Sequence, residues 1–576
     1  MGIIRRAKNE FRPIFIFLVI ISSFLILSYR LIDLQVLEAQ EYVDFATNQH
    51  DRDYNLFAQR GKIYDKNGKE LALSLHQVTL FANPYFVKDP LNYAIKLGEI
   101  LNMNVEDLKE KLSRSNSGFE YITRKIGPEL ANRVMELNLD GIYSTREDKR
   151  FYPKDSQACH LIGFVGLDNK GLAGVELEYE KQLHGTDGRI IAKQDGLGRI
   201  IPGTYTLKSD PEDGYDIHLT IDENIQFYTE SRLKKGIQET GAKRGTIIIM
   251  QPKTGEILAM ANYPDFDLNG FNQSNSDNLK NLAISYNFEP GSVFKFVTAS
   301  SVIDSSSISK ETVFNLPPTI KVGGRVISEP FRHVAKDYSV ADILIKSANV
   351  GTVILAQQMS DEVYYNYLSK FGFGQSTGID LPGEEIGVFN HYSQWSGSSK
   401  ATISFGQGIS VTPIQLLRAL CTILNDGIAP NPYIVKRICG KNGDIDYFPK
   451  PEIAEKRVIS SETAEAIKSI LIRVVEEGTG KNAKIEGYKI GGKTGTAQKP
   501  IEGGRGYHSS DVSITSFMGF APGDDPTLAC IVMMDEPSTA NGRVWGSTVA
   551  APIFKDVMSF TLDYLRIPPL TTDIEQ

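Results

Sequence analysis

Residues 289–303 have the sequence EPGSVFKFVTASSVI, in which a Pro-Gly pair precedes an apolar stretch. Pro and Gly end the preceding segment, and the apolar run after them predicts a helix. A spacing of three residues places Ser292 and Lys295 on one face of this helix, where the Lys295 amine can take the proton of the Ser292 hydroxyl. We therefore predict that Ser292 is a nucleophile activated by Lys295.

Three short patterns elsewhere compete with the functional motifs. Ser307 and Lys310 repeat the Ser-x-x-Lys spacing, but they lie in the polar run SSSISKE, which favours a loop or a helix cap. Lys253 begins one Lys-Thr-Gly match, between the two apolar runs of GTIIIMQPKTGEILAMANY, and this context predicts a hairpin turn. Residues 276–278 read Ser-Asp-Asn within NQSNSDNLKN, a stretch typical of a solvated loop.

The remaining matches have contexts that suit a binding cleft. Lys493 lies in YKIGGKTGTAQ, where a strand ends in small residues that leave its backbone open to a ligand. Ser347 and Asn349 interrupt the apolar helical stretch ADILIKSANVGTVILA, and polar side chains in such a stretch need partners or a purpose. The order Ser292, Ser347, Lys493 along the chain is the order of a known three-motif signature.

Each residue type has a chemical use in acyl transfer. Lys295 can act as a base only when neutral, and both burial and the nearby charge of Lys493 would lower its pKa. Ser347 can pass the proton to a leaving amine, and the backbone N–H groups at Ser292 and near Thr496 can form an oxyanion hole. The other proposed contacts are an amide that holds the substrate backbone, from Asn349, and a carboxylate site formed with Lys493 by Thr494, Gly495 and Thr496.

The N-terminal segment predicts a membrane anchor. Residues 13–29 read PIFIFLVIISSFLILSY, without a charge, and snorkelling arginines at each end extend the reach of one helix to the thickness of a bilayer. A secretory signal peptide is the alternative, but no small-x-small cleavage site follows. Basic residues precede the helix, so we expect the N-terminus in the cytoplasm and the remainder outside the cytoplasmic membrane, in the periplasm.

Composition argues against several other classes of protein. The net charge of −8 at pH 7 provides no general basic surface for nucleic acid. The four cysteines are far apart, without a Cys-x-x-Cys pair, and are interpreted as small buried residues. The eight histidines lack metal-ligand spacing, so we predict neither a metal nor another cofactor.

The length of the chain, 576 residues, predicts more than one domain. A polar turn cluster at residues 209–214 marks the boundary, after which strands and helices alternate irregularly in an α+β arrangement. The predicted segments are a cytoplasmic N-terminus (1–12), a transmembrane helix (13–32), an N-terminal exported domain (33–212), a catalytic domain (213–562) and a loose tail (563–576).

These motifs resemble the penicillin-binding transpeptidases, and the likeness extends over nearly the whole chain. EPGSVFKF, KSANVG, GGKTGTAQ and SFGQGISVTPIQ are similar to the motifs of class B catalytic domains. The resemblance implies a serine β-lactamase-like fold, with an antiparallel sheet flanked by helices and a helical subdomain. Ala348 replaces the Asp of Ser-Asp-Asn, and Phe296 stands where Pro often follows the lysine.

The N-terminal exported domain resembles the class B dimerisation domain, here called the pedestal. RGKIYDKNGKELA (60–72), RFYPKDSQACHLIGFVG (150–166) and GLAGVELEYEKQLHGTDG (171–188) carry this likeness. The family implies structural and partner-docking roles for the residues at the matching positions, which are Arg60, Gly61, Asp65 and Glu176. Lys66 departs from the pattern, which has Arg there.

The resemblance implies that Ser292 is acylated by a peptidoglycan stem peptide ending in D-Ala-D-Ala, or by a β-lactam. FAPGDDPTLACIVMMDEPS looks more like the septal, division-specific enzymes than the elongation-specific ones. Expected partners are a glycosyltransferase that polymerises lipid II and other division proteins. Alternatives are a D,D-carboxypeptidase or β-lactamase, a β-lactam sensor and a non-catalytic divisome scaffold.

Overall fold

A computed structural model describes most of the chain. The described residues are 2–114, 117–193, 203–329, 334–440, 445–447, 457–501, 506–508, 512–538 and 544–569. Of the tail predicted from residue 563, residues 570–576 lie outside them.

The α-helices of the described residues are α1 (Gly2–Ile32), α2 (Ala39–His50), α3 (Pro90–Leu101), α4 (Val105–Leu112), α5 (Pro128–Met135), α6 (Cys159–Ile162), α7 (Gly174–Glu178), α8 (Glu180–His184), α9 (Glu223–Thr240), α10 (Leu282–Ser285), α11 (Lys295–Ser305), α12 (Val340–Ile345), α13 (Asn349–Gln357), α14 (Asp361–Lys370), α15 (Ser399–Ser404), α16 (Pro413–Leu424), α17 (Ser461–Glu476) and α18 (Ala550–Tyr564).

The strands are β1 (Asp51–Leu56), β2 (Ile63–Tyr64), β3 (Glu70–Ala82), β4 (Glu120–Ile126), β5 (Ile142–Phe151), β6 (Gly188–Lys193), β7 (Thr206–Ser209), β8 (Asp216–Leu219), β9 (Arg244–Met250), β10 (Ile257–Tyr263), β11 (Val313–Leu316), β12 (Thr319–Val322), β13 (Arg325–Ser328), β14 (Lys336–Ser339), β15 (Val435–Cys439), β16 (Ile445–Tyr447), β17 (Gly491–Gln498), β18 (Ser513–Ala521) and β19 (Leu528–Asp535).

The chain divides into two compact units. The first comprises residues 1–59 and 185–213, and the second comprises residues 60–184 and 214–576. The domain boundary at residue 212 stays a prediction.

The first unit contains the apolar helix and a small sheet. Helix α1 begins eleven residues before the predicted anchor and is followed by a π-helical turn at Asp33–Leu37. Residues 13–37 are long and apolar enough to cross a membrane, by length and composition. Strands β1, β6 and β7 form a three-stranded sheet in that order.

A five-stranded antiparallel sheet organises the catalytic part of the second unit. Its strand order is β10-β9-β19-β18-β17, so the strand that contains Lys493 lies at one edge. Side chains of β9 alternate between the two faces, with Ile247 and Ile249 in the core under α9 and α18. Ile248 and Met250 belong to the other core, with α11, α16 and α17. Both faces of the sheet are therefore covered, which explains its continuous apolar strands.

The pedestal part of the second unit is a mixed sheet with helices. Strand β3 pairs with β4 and β5 in antiparallel fashion, and β2 joins it to β8 and β15. Helices α3, α4 and α5 cover one face of β3, β4 and β5 around a core that includes Leu80, Leu97 and Ile122. The mixed α+β class and the expected antiparallel sheet with flanking helices are confirmed.

The structure confirms one sequence prediction of local structure and corrects another. The hairpin around Lys253 is confirmed, because β9 and β10 pair antiparallel across that turn. The apolar stretch around Ser347 is two helices rather than one, since α12 ends and α13 begins on either side of residues 346–348. All four cysteines are buried, as expected.

Candidate active site

The proposed nucleophile lies on a tight turn at the start of α11. Gly291–Phe294 form a single 3-10 turn, and Ser292 is partly exposed there while its neighbours are buried. Gly291 has φ +60°, and a Cβ on it would lie 3.0 Å from the Cβ of Ala497. Glycine is therefore required, because this turn packs directly against β17.

Lys295 is the first residue of α11 and is fully buried. Its Nζ donates to the carbonyl oxygen of Ser347 at 2.6 Å and to its Oγ at 3.3 Å. It also donates to Oδ1 of Asn349 at 2.7 Å. The structure therefore brings the first and second motifs into direct contact.

Ser347 bridges the two lysines. Lys493 Nζ donates to Ser347 Oγ at 2.9 Å, so one hydroxyl contacts both amines, which we call the lysine pair. Ser347 has φ +58°, a left-handed conformation that costs a non-glycine residue about 1 kcal/mol or more. The turn between α12 and α13 holds this strained serine in the cleft. The left-handed conformation of Ser347 interrupts the helical stretch.

Burial sets the protonation of the lysine pair. It lowers the pKa of Lys295 to about 7, while the negative charge of Glu329 acts in the opposite direction. Burial also lowers the pKa of Lys493 well below its usual value, and the nearby charge of Lys295 lowers it further. The predicted effect of burial on the pKa of Lys295 agrees with this environment, whereas the effect of charge falls on the pKa of Lys493 rather than on that of Lys295.

Asn349 begins α13 with its side chain aimed at Lys295. Its Nδ2 donates to the carbonyl oxygen of Ser328 at 3.1 Å, which fixes the amide so that Oδ1 faces the lysine. The carboxylate of Glu329 accepts from the backbone N–H groups of Asn349 at 2.6 Å and Val350 at 2.8 Å.

The predicted substrate-binding residues line β17. The hydroxyl of Thr494 hydrogen bonds that of Thr479 at 2.9 Å, and the hydroxyl of Thr496 accepts from the N–H of Gly546 at 3.0 Å. A Cβ on Gly495 would lie 2.2 Å from Cγ2 of Val293, so the absence of a side chain allows the strand to approach the turn of the nucleophile.

The competing matches lie away from this cluster. Ser307 is exposed beyond the end of α11, and Lys253 is an exposed turn residue paired with Asp525 at 2.7 Å. Residues 276–278 lie in a short exposed 3-10 turn, where Asp277 pairs with Lys280. Context along the sequence therefore separated the matches that meet in the cleft from those on the surface.

The pedestal motif residues form a second, separate polar network. Arg60 Nε donates to Glu176 Oε2 at 2.7 Å, and Arg150 Nε donates to Glu176 Oε1 at 2.6 Å. Arg150 also donates to the carbonyl oxygen of Gly61 at 2.7 Å, and Glu176 is fully buried. The Glu176 carboxylate thus bridges two buried guanidinium groups and ties three pedestal segments together, and Arg60 also pairs with Glu180 at 2.7 Å.

Asp65 has a related structural position. Its Oδ1 accepts from the N–H groups of Asn67 and Lys69, both at 2.8 Å, which closes the turn between β2 and β3. Its Oδ2 accepts from the N–H of Glu223 at 3.2 Å, at the start of α9. The turn is thereby joined to the first helix of the catalytic part.

Glu329 is the functional candidate that the sequence reasoning missed. The motif triplets identify Ser347 and Asn349, whereas Glu329 lies eighteen residues before Ser347 in VISEP, after the hairpin of β12 and β13. Its one sequence signal is an acid directly after an apolar strand and before Pro, which by itself does not indicate proximity to a lysine.

Comparison with known proteins agrees with this geometry. The family model described as penicillin binding protein transpeptidase domain matches residues 245–559, and the penicillin-binding protein dimerisation domain matches residues 55–219. Stage V sporulation protein D of Bacillus subtilis (strain 168) is 35% identical over 572 residues, which cover 98% of this chain and 87% of that protein.

Two further similarities cover nearly the same range. The peptidoglycan D,D-transpeptidase FtsI of Escherichia coli (strain K12) is 31% identical over 522 residues, covering 89% of this chain and 85% of that protein. The crystal structure of penicillin binding protein 3 from Mycobacterium tuberculosis, complexed with aztreonam, is 29% identical with a TM-score of 0.71, covering 90% of this chain and 98% of that one. This chain therefore belongs to the class B penicillin-binding proteins, with a dimerisation domain and a transpeptidase domain.

Proposed function

We propose that this protein is a peptidoglycan D,D-transpeptidase that cross-links stem peptides during septal wall synthesis. The observation that carries the proposal is the buried lysine pair on Ser347 Oγ, in which Lys295 lies three residues after the partly exposed Ser292. Similar proteins are named peptidoglycan D,D-transpeptidases, and one solved relative was crystallised with a β-lactam.

In the acylation step, Ser292 Oγ attacks the carbonyl carbon between the two terminal D-Ala residues. Neutral Lys295 takes the hydroxyl proton, and a tetrahedral intermediate forms with its oxyanion near the backbone N–H groups of Ser292 and β17. The C–N bond then breaks, and the D-Ala amine leaves with a proton delivered through Ser347. The peptide remains attached to Ser292 as an ester.

In the transfer step, an amine of a neighbouring stem peptide attacks the ester carbonyl. The amine loses one proton to the site, the C–O bond to Ser292 breaks, and the serine oxygen regains a proton. Before acylation, Thr494, Thr496 and the charged form of Lys493 suit the terminal carboxylate of the donor peptide, which later leaves with D-Ala. Asn349 suits the backbone of the donor peptide.

The anchor helix determines where this chemistry takes place. Because basic residues of α1 precede its apolar segment, and residues 13–29 carry no charge, the N-terminus faces the cytoplasm and the transpeptidase domain lies outside the cytoplasmic membrane. We assign the pedestal, with Arg60, Gly61, Asp65 and Glu176 as its framework, to structural support and docking. Its expected partners are a lipid II-polymerising glycosyltransferase and other division proteins.

Fluorescent penicillin tests the proposed function. The full-length chain in detergent should form a covalent adduct that persists for many minutes, and it should cross-link synthetic stem peptides that end in D-Ala-D-Ala when an acceptor amine is supplied. Rapid release of the label, with hydrolysis instead of cross-linking, would support the carboxypeptidase or β-lactamase alternative. A folded chain that takes no label would support a scaffold.

The rate of acylation should depend on pH through the lysine pair. Since Lys295 acts when neutral and its pKa is about 7, the rate should rise about tenfold per pH unit below 7 and level off above it. At pH 5 the rate should be about 100-fold below the plateau. Second-order rate constants for penicillin labelling between pH 5 and 9 measure this pH dependence. A rate that continued to rise tenfold per pH unit from pH 7 to 9 would exclude Lys295 as a base with a lowered pKa.

A further inference from the structure

Glu329 lies next to the site but belongs to none of its three motifs. It follows the last residue of β13, and its side chain is only 9% exposed. Both carboxylate oxygens are used, one on the N–H of Asn349 and the other on the N–H of Val350. A buried carboxylate with two short hydrogen bonds is a built feature of the cleft.

Glu329 fixes the position of Asn349 at the start of α13. Helix α13 needs acceptors for its first N–H groups, and Ala348 at the N-cap position has a methyl group that cannot accept. Glu329 supplies those acceptors from a different segment, and Ser328 holds the side-chain amide of Asn349 at the same time. The end of β13 therefore orients the amide oxygen that accepts a hydrogen bond from Lys295.

The negative charge of Glu329 also balances the charge of the lysine pair. Two lysines are buried beside each other, and a buried cation without a partner is costly. With one lysine protonated and the other neutral, Glu329 and the lysine pair together carry no net charge. This state contains one base and one acid that share a hydroxyl, which is the state that acylation requires.

We propose that Glu329 is a positioning residue that holds Asn349 against Lys295 and balances the one proton shared by the lysine pair. Glu329 does not contact the reacting atoms. It acts through Asn349 by hydrogen bonding and on Lys295 through its charge. The inference rests on the proposed function, because it assumes that Lys295 serves the acylation of Ser292.

Among the described residues, Glu329 is the charged group that acts on Lys295, and Lys295 is the one that acts on Lys493. Tyr364 on α14 bonds Thr298 on α11, and burial raises its pKa, so it stays neutral at pH 5 to 9. Asp304, at the far end of α11, accepts from the N–H of Ser460 beside α17. Lys493 faces Lys295 from β17. The titration of the cluster near neutral pH therefore belongs to the lysine pair under the field of Glu329.

The variant Glu329→Gln tests the proposal through the pH profile of penicillin acylation. Removing the negative charge makes protonation of Lys295 harder, so the midpoint of the acidic limb should move to lower pH by about one unit. The plateau should also fall, because Asn349 loses part of its support. Glu329→Asp keeps the charge and should keep the wild-type midpoint with a reduced plateau. Asp337→Asn, an exposed acid on β14, is the matched control and should leave the profile unchanged.

A double variant covers the case in which Glu329→Gln fails to fold because its buried lysine pair is left with an unbalanced charge. Glu329→Gln with Lys493→Met removes one charge of each sign, and its midpoint should lie about one unit below that of Lys493→Met alone. A reduced plateau with an unmoved midpoint, in either comparison, would make Glu329 a merely structural residue and overturn the proposal. A folded wild-type chain that takes no label would instead contradict the proposed function, and this inference with it.

Discussion

Replacing Ser292 by alanine should abolish covalent labelling by fluorescent penicillin and lower stem-peptide cross-linking by about 10⁴-fold or more. The hydroxyl oxygen of Ser292 forms the ester, and neither amine of the lysine pair can replace it. Gel fluorescence after incubation and chromatography of cross-linked peptides measure the two effects. Because Ser292 is a small, partly exposed residue on the turn, the variant should keep its fold.

Ser307→Ala is the matched control for this experiment. Ser307 has the same spacing to a lysine, but it is exposed beyond α11, where Lys310 bonds Ser469 rather than a residue of the cleft. Labelling and cross-linking should be unchanged. Unaltered labelling in Ser292→Ala, or a loss confined to Ser307→Ala, would show that the wrong Ser-x-x-Lys motif has been assigned.

Replacing Glu176 by alanine should cost about 3–5 kcal/mol of stability, because it leaves Arg60 and Arg150 buried without their shared carboxylate. Their side chains are 5% and 1% exposed, so water cannot readily take over this role. The expected result is a large fall in the urea concentration at which the pedestal becomes sensitive to protease.

Glu178→Ala provides the control on the same short helix. Glu178 is exposed, and an exposed substitution of this kind changes stability by about 0.5 kcal/mol or less. Protease sensitivity of Glu178→Ala should therefore follow the wild type. Equal behaviour of the Glu176 and Glu178 variants would show that the buried network contributes little to the pedestal.

Local patterns in the sequence were sufficient for much of the fold. Alternating apolar runs around the turn of Lys253 predicted β9 and β10, and a charge-free stretch of seventeen residues predicted the apolar part of α1. Such signals depend on residues close together in the chain, and each has one favourable structure. The apolar periodicity of ADILIKSANVGTVILA (341–356) predicts helix but does not show that Ser347 adopts a left-handed conformation between two helices.

The sequence by itself determined the residue types of the site, their order along the chain and their local context, and these separated Ser292 and Lys493 from the matches at Ser307 and Lys253. Tertiary structure decided what those residues do to one another. Hydrogen bonds of Ser347 to Lys295 and to Lys493 join segments that are 52 and 146 residues apart, and only packing shows that both amines are buried. Glu329 became visible for the same reason, because the field of a charge depends on distance in space, and the separation between β13 and α11 along the chain carries no information about it.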